Sequence, residues 1–145
     1  MTAQLFRAAY VRAHYQVNGL TFKLEPQVTG MQLFEGRLFA LITAHNPQSR
    51  VLAEAENALR HENLVSVVES LGLESRPAVG KSPDSSWQEE GLVIFGLDLK
   101  VALELSRQFE QNAILYGEAS KVGLAWCDSG EVEWFYPQVL SESHL

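Results

Sequence analysis

The chain has one cysteine, Cys127, in 145 residues, which excludes an intramolecular disulfide framework and any zinc site built on several cysteines. Long apolar runs are missing too. None approaches the roughly 18 residues of a membrane helix, and MTAQLFRAAYVR at the N-terminus has no signal-peptide apolar core with a cleavage site. The expected compartment is therefore cytoplasmic, with no membrane partner. Basic residues are few, 11 Lys and Arg against 18 Asp and Glu for a net charge of −7, and they are scattered rather than gathered in a stripe. That balance repels phosphate backbones, so a nucleic-acid partner is disfavoured. No internal repeat, low-complexity segment or linker divides the chain. With 46% hydrophobic and 20% charged residues, residues 1–145 are expected to form a single domain that buries about 68–70% of its extended-chain surface.

What is present is organised around Leu38 to Arg50, LFALITAHNPQSR. Leu38 to Thr43 carry no charge and favour a strand whose two faces must both be covered. His45, Asn46, Pro47, Gln48 and Ser49 then turn the chain polar, with Ser49 placed to cap a helix. Before this stretch, Phe6, Ala9, Tyr10 and Ala13 share one face of an expected helix over Ala3 to Ala13. Asn18-Gly19 joins two alternating runs as a hairpin, and Glu25 to Gly36 is a connector with one helical turn at Met31 to Phe34. After it, Ala53, Asn57, Leu64, Val68 and Leu71 make a stripe on a helix from about Arg50 to Leu71, which places Asn57 among core positions. A strand at Ser75 to Ser82, an apolar strand ending at Leu92 to Gly96, and a helix Leu99 to Phe109 capped by Asp98 follow. A strand at Ala113 to Tyr116 and a terminal hairpin, Val122 to Cys127 with Val132 to Tyr136, complete the order, and Ser141 to Leu145 are expected to be loose.

From Leu38 to Tyr116 the order is strand, helix, strand, strand, helix, strand, the split βαβ arrangement. The expected fold is α+β: a ferredoxin-like split βαβ core with an N-terminal helix and hairpin and a C-terminal hairpin. Leu38 to Ala44 and Leu92 to Gly96 should pair antiparallel at its centre. Helices cover one face of such a sheet, so the N-terminal helix, the terminal hairpin or a second subunit must cover the other; a homodimer is one solution. The topology also gathers His45, Asn46, Ser49, Asn57, Trp87, Glu89, Glu90, Gln111 and Asn112 at one end, where they are candidate ligand-binding residues. Against this stands the ordinary role of amides at element ends, satisfying backbone groups. Glu89 and Glu90 are adjacent in a strand, so at most one enters the cleft.

The segments ITAHNPQSR, AEAENALR, SWQEEGLVIFGLD and FEQNAILYG resemble a bacterial family of uncharacterised domains, domain of unknown function 3293, over most of Ala8 to Tyr116. Thr43, Asn46, Pro47, Asn57, Trp87, Glu89 or Glu90, Gln111 and Asn112 match its motif positions, whereas an aromatic residue is usual there in place of His45. That departure counts against His45 as an obligatory catalytic base. The resemblance implies no activity, cofactor or partner.

Known catalytic signatures fail. His61-Glu62 opens a zinc-protease pattern, but Val65 stands where the second His belongs, so no metal site is expected from it. Gly80-Lys81-Ser82 echoes a phosphate loop, yet Ser75 replaces its leading Gly and Pro83 blocks the helix that should hold phosphate. Cys127 has no basic neighbour in sequence and is expected to be a packing thiol; His14, His61 and His144 are expected to be ordinary surface or hairpin histidines. The preferred function is binding of a small molecule or peptide through Asn46, Asn57, Gln111 and Asn112, whose amides neither titrate nor attack. The alternatives are an enzyme using His45 or one of Glu89 and Glu90 as general acid/base, and a structural homodimeric interaction module.

Overall fold

The computed structural model describes residues 2–143, with side chains from Phe6 onward. In order these form α1 (Thr2–Arg12), β1 (His14–Val17), β2 (Leu20–Glu25), β3 (Phe39–Thr43), α2 (Glu54–Ser70), β4 (Ser75–Lys81), β5 (Gln88–Phe95), α3 (Leu99–Gln108), β6 (Ala113–Glu118), β7 (Lys121–Trp126) and β8 (Val132–Glu142). Short 3-10 turns occupy Phe34–Gly36 and Pro47–Ser49. The Asp98 side chain accepts a hydrogen bond from the Val101 N–H, which satisfies a donor that the first turn of α3 leaves open. His144 and the last residue of the expected loose tail lie outside the described residues, while Ser141 and Glu142 are paired in β8 with Thr21 and Leu20.

The ferredoxin-like expectation is wrong. The eight strands close into an antiparallel barrel in the order β1-β2-β8-β7-β6-β3-β5-β4, with β4 returning to β1. Within it β6, β3, β5 and β4 are consecutive neighbours, and β3 pairs antiparallel with β5, Ala40 opposite Ile94 and Ile42 opposite Leu92. An open four-stranded sheet would leave β4 and β6 as unpaired edges. Here β1 takes the free side of β4 and β7 that of β6, with β2 and β8 spanning the gap. Local periodicity finds each strand but does not say that two terminal hairpins continue a sheet rather than lie across it.

Closure answers which element covers the second face. Alternate residues of β3 and β5 divide between two apolar clusters. Phe39, Leu41, Val93 and Phe95 join Tyr15, Phe22, Leu115, Leu124 and Phe135 in the barrel interior. Ala40, Ile42, Leu92 and Ile94 face outward against Leu64 and Val68 of α2 and Ala102 and Leu105 of α3. Both faces of β3 and β5 are thus covered within one chain. The Phe39 ring packs directly on Gly117, where a Cβ would overlap it. Helix α1 closes one mouth, its Tyr10 ring set edge-on to Trp126 with centroids 5.9 Å apart, and Ala13, just past its end, is buried. No helix among the described residues is long and apolar enough to cross a membrane.

Helix α2 starts at Glu54, four residues later than the periodicity predicts, and Ser49 does not cap it. Asn46, Gln48 and Ser49 adopt left-handed backbone, with φ of 48, 51 and 63°. Three non-glycine residues in that region cannot lead directly into a right-handed helix. Ala53 and Leu71, the ends of the expected stripe, are exposed, while Asn57, Leu64 and Val68 are buried as the spacing predicts.

Candidate functional site

The mouth capped by α1 receives the end of β3, the start of β5 and the start of β6. A cavity of about 710 Å³ opens there, within the range of small-molecule sites. Its apolar wall comes from Phe6, Tyr10, Tyr15 and Leu115, and its polar side from Thr43, Asn46, Ser49, Glu89 and Gln111. Trp87, 40% exposed, borders the opening.

The polar side rests on the strained loop. Asn57 Oδ1 accepts from the Asn46 backbone N–H and its Nδ2 donates to Asn46 Oδ1, each at 2.9 Å. Asn46 Oδ1 also accepts from the Leu52 N–H at 2.9 Å, and Asn46 Nδ2 donates to Glu89 Oε2 at 2.6 Å. Arg60, one turn beyond Asn57, donates from Nε to the Ala44 carbonyl at 2.6 Å and from Nη2 to the Phe109 carbonyl. Gln111 Nε2 donates to the carbonyls of His45 and Phe109, at 3.0 and 3.1 Å. The Gln48 N–H donates to the Glu110 carbonyl, and Asn112 Nδ2 to Ser49 Oγ. Each left-handed residue thus carries a bond from another element or anchors one, which is how an otherwise sparsely populated backbone persists.

Asn46, Ser49, Trp87, Glu89 and Gln111 line the cavity; His45, Asn57, Glu90 and Asn112 do not. Asn57 hydrogen-bonds Asn46 and, among the described residues, makes no hydrogen bond to Gln111 or Asn112, which hold the same loop through the His45 carbonyl and Ser49 Oγ. The adjacent glutamates divide as strand geometry requires. Glu89 points into the cavity, while Glu90 is exposed outside, with Oε2 3.9 Å from His61 Nε2. Sequence reasoning missed Arg60, Tyr10 and Tyr15. The one available signal was the spacing of Arg60 three residues after Asn57, on the same side of α2. Tyr10 and Tyr15 read as ordinary core residues of α1 and β1.

Burial raises the Glu89 carboxyl from its ordinary 4.5 to about 7, and the hydrogen bond from Asn46, which favours the charged form, opposes the rise only in part. Apart from Asn46, no hydrogen bond to this carboxyl forms among the described residues. At neutral pH such a group can donate or accept a proton toward the cavity. Burial lowers His45, and holds the thiol of Cys127 above its ordinary value. Cys127 lies 3.3 Å from Ser106 Oγ on the barrel's outer side, an unreactive packing position.

The chain matches the family model described as a protein of unknown function (DUF3293) over residues 42–114. It belongs to that family. The DUF3293 match begins within β3 and ends in β6, so it takes in the strained loop, α2, both glutamates and Gln111, but not α1 or the closing strands. This is narrower than the resemblance seen from Ala8 onward, and a bacterial origin does not follow from it. No curated protein and no solved structure matches the chain.

Proposed function

We propose that this DUF3293 protein binds a small, largely apolar molecule in the barrel mouth, with a hydrogen-bonding group of the ligand placed against Glu89. The observation that carries the reading is the enclosure of a single glutamate carboxyl within a cavity walled by Phe6, Tyr10, Tyr15 and Leu115. A carboxyl there without a partner beyond Asn46 is a desolvated polar group, and a ligand donor supplies what water no longer does. The Asn46 to Ser49 loop, fixed by Asn57, Arg60 and Gln111, presents the polar side in a preformed geometry, which lowers the ordering cost of binding. The amides expected to contact ligand act here mostly on backbone, so their part is to hold the loop.

The test is a thermal-shift screen of small metabolites against the wild-type chain, Glu89→Gln and Ala9→Trp, the last filling the cavity from α1. A ligand present at a hundred times its dissociation constant stabilises the native state by about 2.7 kcal/mol. The expected hit stabilises wild type, stabilises Glu89→Gln less, and leaves Ala9→Trp unmoved. A hit that stabilises all three equally binds elsewhere and removes the proposal. Conversion of the bound ligand by wild type but not by Glu89→Gln would extend the reading from binding to catalysis.

A further inference from the structure

On the outer side of the same wall, three potential metal ligands from three elements converge. His45 follows β3, His61 lies on α2 and Glu90 on β5, and one ligand atom from each lies within 4.8 Å of the other two. The two imidazole rings meet edge to face, with centroids 6.1 Å apart and planes at 86°. His45 Nε2 and His61 Nδ1 are buried and find no hydrogen-bond partner among the described residues. Buried polar atoms are ordinarily satisfied, and each exception needs an explanation, of which a bound ion is one.

We propose that His45, His61 and Glu90 form a binding site for a divalent transition-metal ion of the zinc class, separate from the cavity. Two imidazoles and one carboxylate suit such ions, and three protein ligands leave a fourth position open to water. Metal–ligand bonds of about 2.0–2.2 Å in a tetrahedron require ligand atoms roughly 3.3 Å apart. The side chains therefore close by about 1 Å around the ion, and the exposed Glu90 carboxylate is free to make that movement.

The backbone beneath the ligands is already tied together. The Thr43 hydroxyl donates to the Glu90 carbonyl at 2.6 Å and accepts from the His45 N–H at 3.0 Å, so one side chain fixes the main chain under two ligands. Gln111 holds the His45 carbonyl from the other side. The third ligand is set by α2, where His61 follows Asn57 by four residues and so faces the same loop. One cation, Arg60, is close. Its guanidinium is bonded to the Ala44 and Phe109 carbonyls and lies 3.7 Å from Glu110, so its charge is partly neutralised there. The motif test on His61-Glu62 missed this site because it sought the second histidine one turn along the helix, whereas the fold supplies it from the loop after β3.

The experiment uses the full chain without an affinity tag, stripped with chelator and titrated with Co²⁺, with Zn²⁺ as competitor. Wild type is expected to bind one Co²⁺ per chain, with a visible absorption band that Zn²⁺ abolishes, and its thermal midpoint should rise with Zn²⁺. His61→Asn and Glu90→Gln should lose both responses while their metal-free melting matches that of metal-free wild type. His45→Phe should do the same; if it unfolds, the other two variants decide. Thr43→Val should weaken Co²⁺ affinity by about 10–100-fold, the effect of removing a group that orients ligands. Failure of wild type to bind saturably overturns the proposal. So does binding that survives the His61 and Glu90 substitutions, because the ion is then held elsewhere.

Discussion

Asn57, 8% exposed on α2, forms two hydrogen bonds of 2.9 Å with one residue, Asn46, through that residue's backbone N–H and its side-chain carbonyl. The same Asn46 amide extends through Nδ2 to Glu89. A helix position is thereby coupled to the cavity carboxyl through one left-handed residue. Asn57→Leu leaves the Asn46 N–H without its acceptor, and Asn57→Asp keeps an acceptor but loses the donor to Asn46 Oδ1. Each is expected to lower stability by about 1–3 kcal/mol in denaturant unfolding. An unchanged midpoint in both would show that the Asn46 loop holds its conformation without α2.

How far the chain could be read in advance follows from the range of the interactions. Asn18-Gly19, the Asp98 cap and the stripe Asn57, Leu64, Val68 are local patterns, and the structure has each of them. The antiparallel pairing of β3 with β5 was expected from the split βαβ order, and it holds because the barrel keeps β6, β3, β5 and β4 as neighbours in the sequence of strands that motif has. Barrel closure was not, since it depends on β4 meeting β1 some sixty residues apart in sequence, which no local pattern specifies. The convergence of Asn46, Glu89 and Gln111 survives that error because their three strand ends remain neighbours in either topology. Arg60 escaped notice for another reason: it binds main-chain carbonyls, and a carbonyl has no sequence signature.

Ile42 and Ile94 pack on the outer side of the barrel beneath α2 and α3, and both are fully buried. Truncation to alanine removes apolar burial and leaves a cavity that neighbouring strands cannot fill. Ile42→Ala and Ile94→Ala should each lower unfolding free energy by about 2–5 kcal/mol. A loss under 1 kcal/mol would place these side chains at a surface rather than under the helices.

Gly117 is required by Phe39. These residues are paired across β6 and β3, and any Cβ at position 117 would enter the Phe39 ring. Gly117→Ala is expected to destabilise by about 1–3 kcal/mol, as overpacked cores do. Combining it with Phe39→Leu should bring the loss below the sum of the two single losses, since the smaller side chain removes the overlap. Strict additivity in this double-mutant cycle would show that the glycine serves some purpose other than making room for the ring.

The Glu89 carboxyl makes stability depend on pH in a direction opposite to that of a salt-bridged glutamate. Its folded pKa, about 7, lies above the ordinary 4.5, so between these values the folded chain keeps a proton that the unfolded chain has released. By linkage, the group's contribution to stability is fully present below the unfolded value and is lost as pH rises through the folded one. Glu89→Gln retains an oxygen for Asn46 Nδ2 but does not titrate. The variant should therefore gain on wild type as pH is raised from about 4.5 to above 7, by on the order of 1–3 kcal/mol given 1.36 kcal/mol per pKa unit. Urea unfolding at a series of pH values measures the gap, with chelator present so that no metal at the neighbouring Glu90 intervenes. If wild type instead gained on the variant with rising pH, the carboxylate would be stabilised in its charged form, and Glu89 would have a cationic or multiply donating partner rather than a place in a largely apolar cavity.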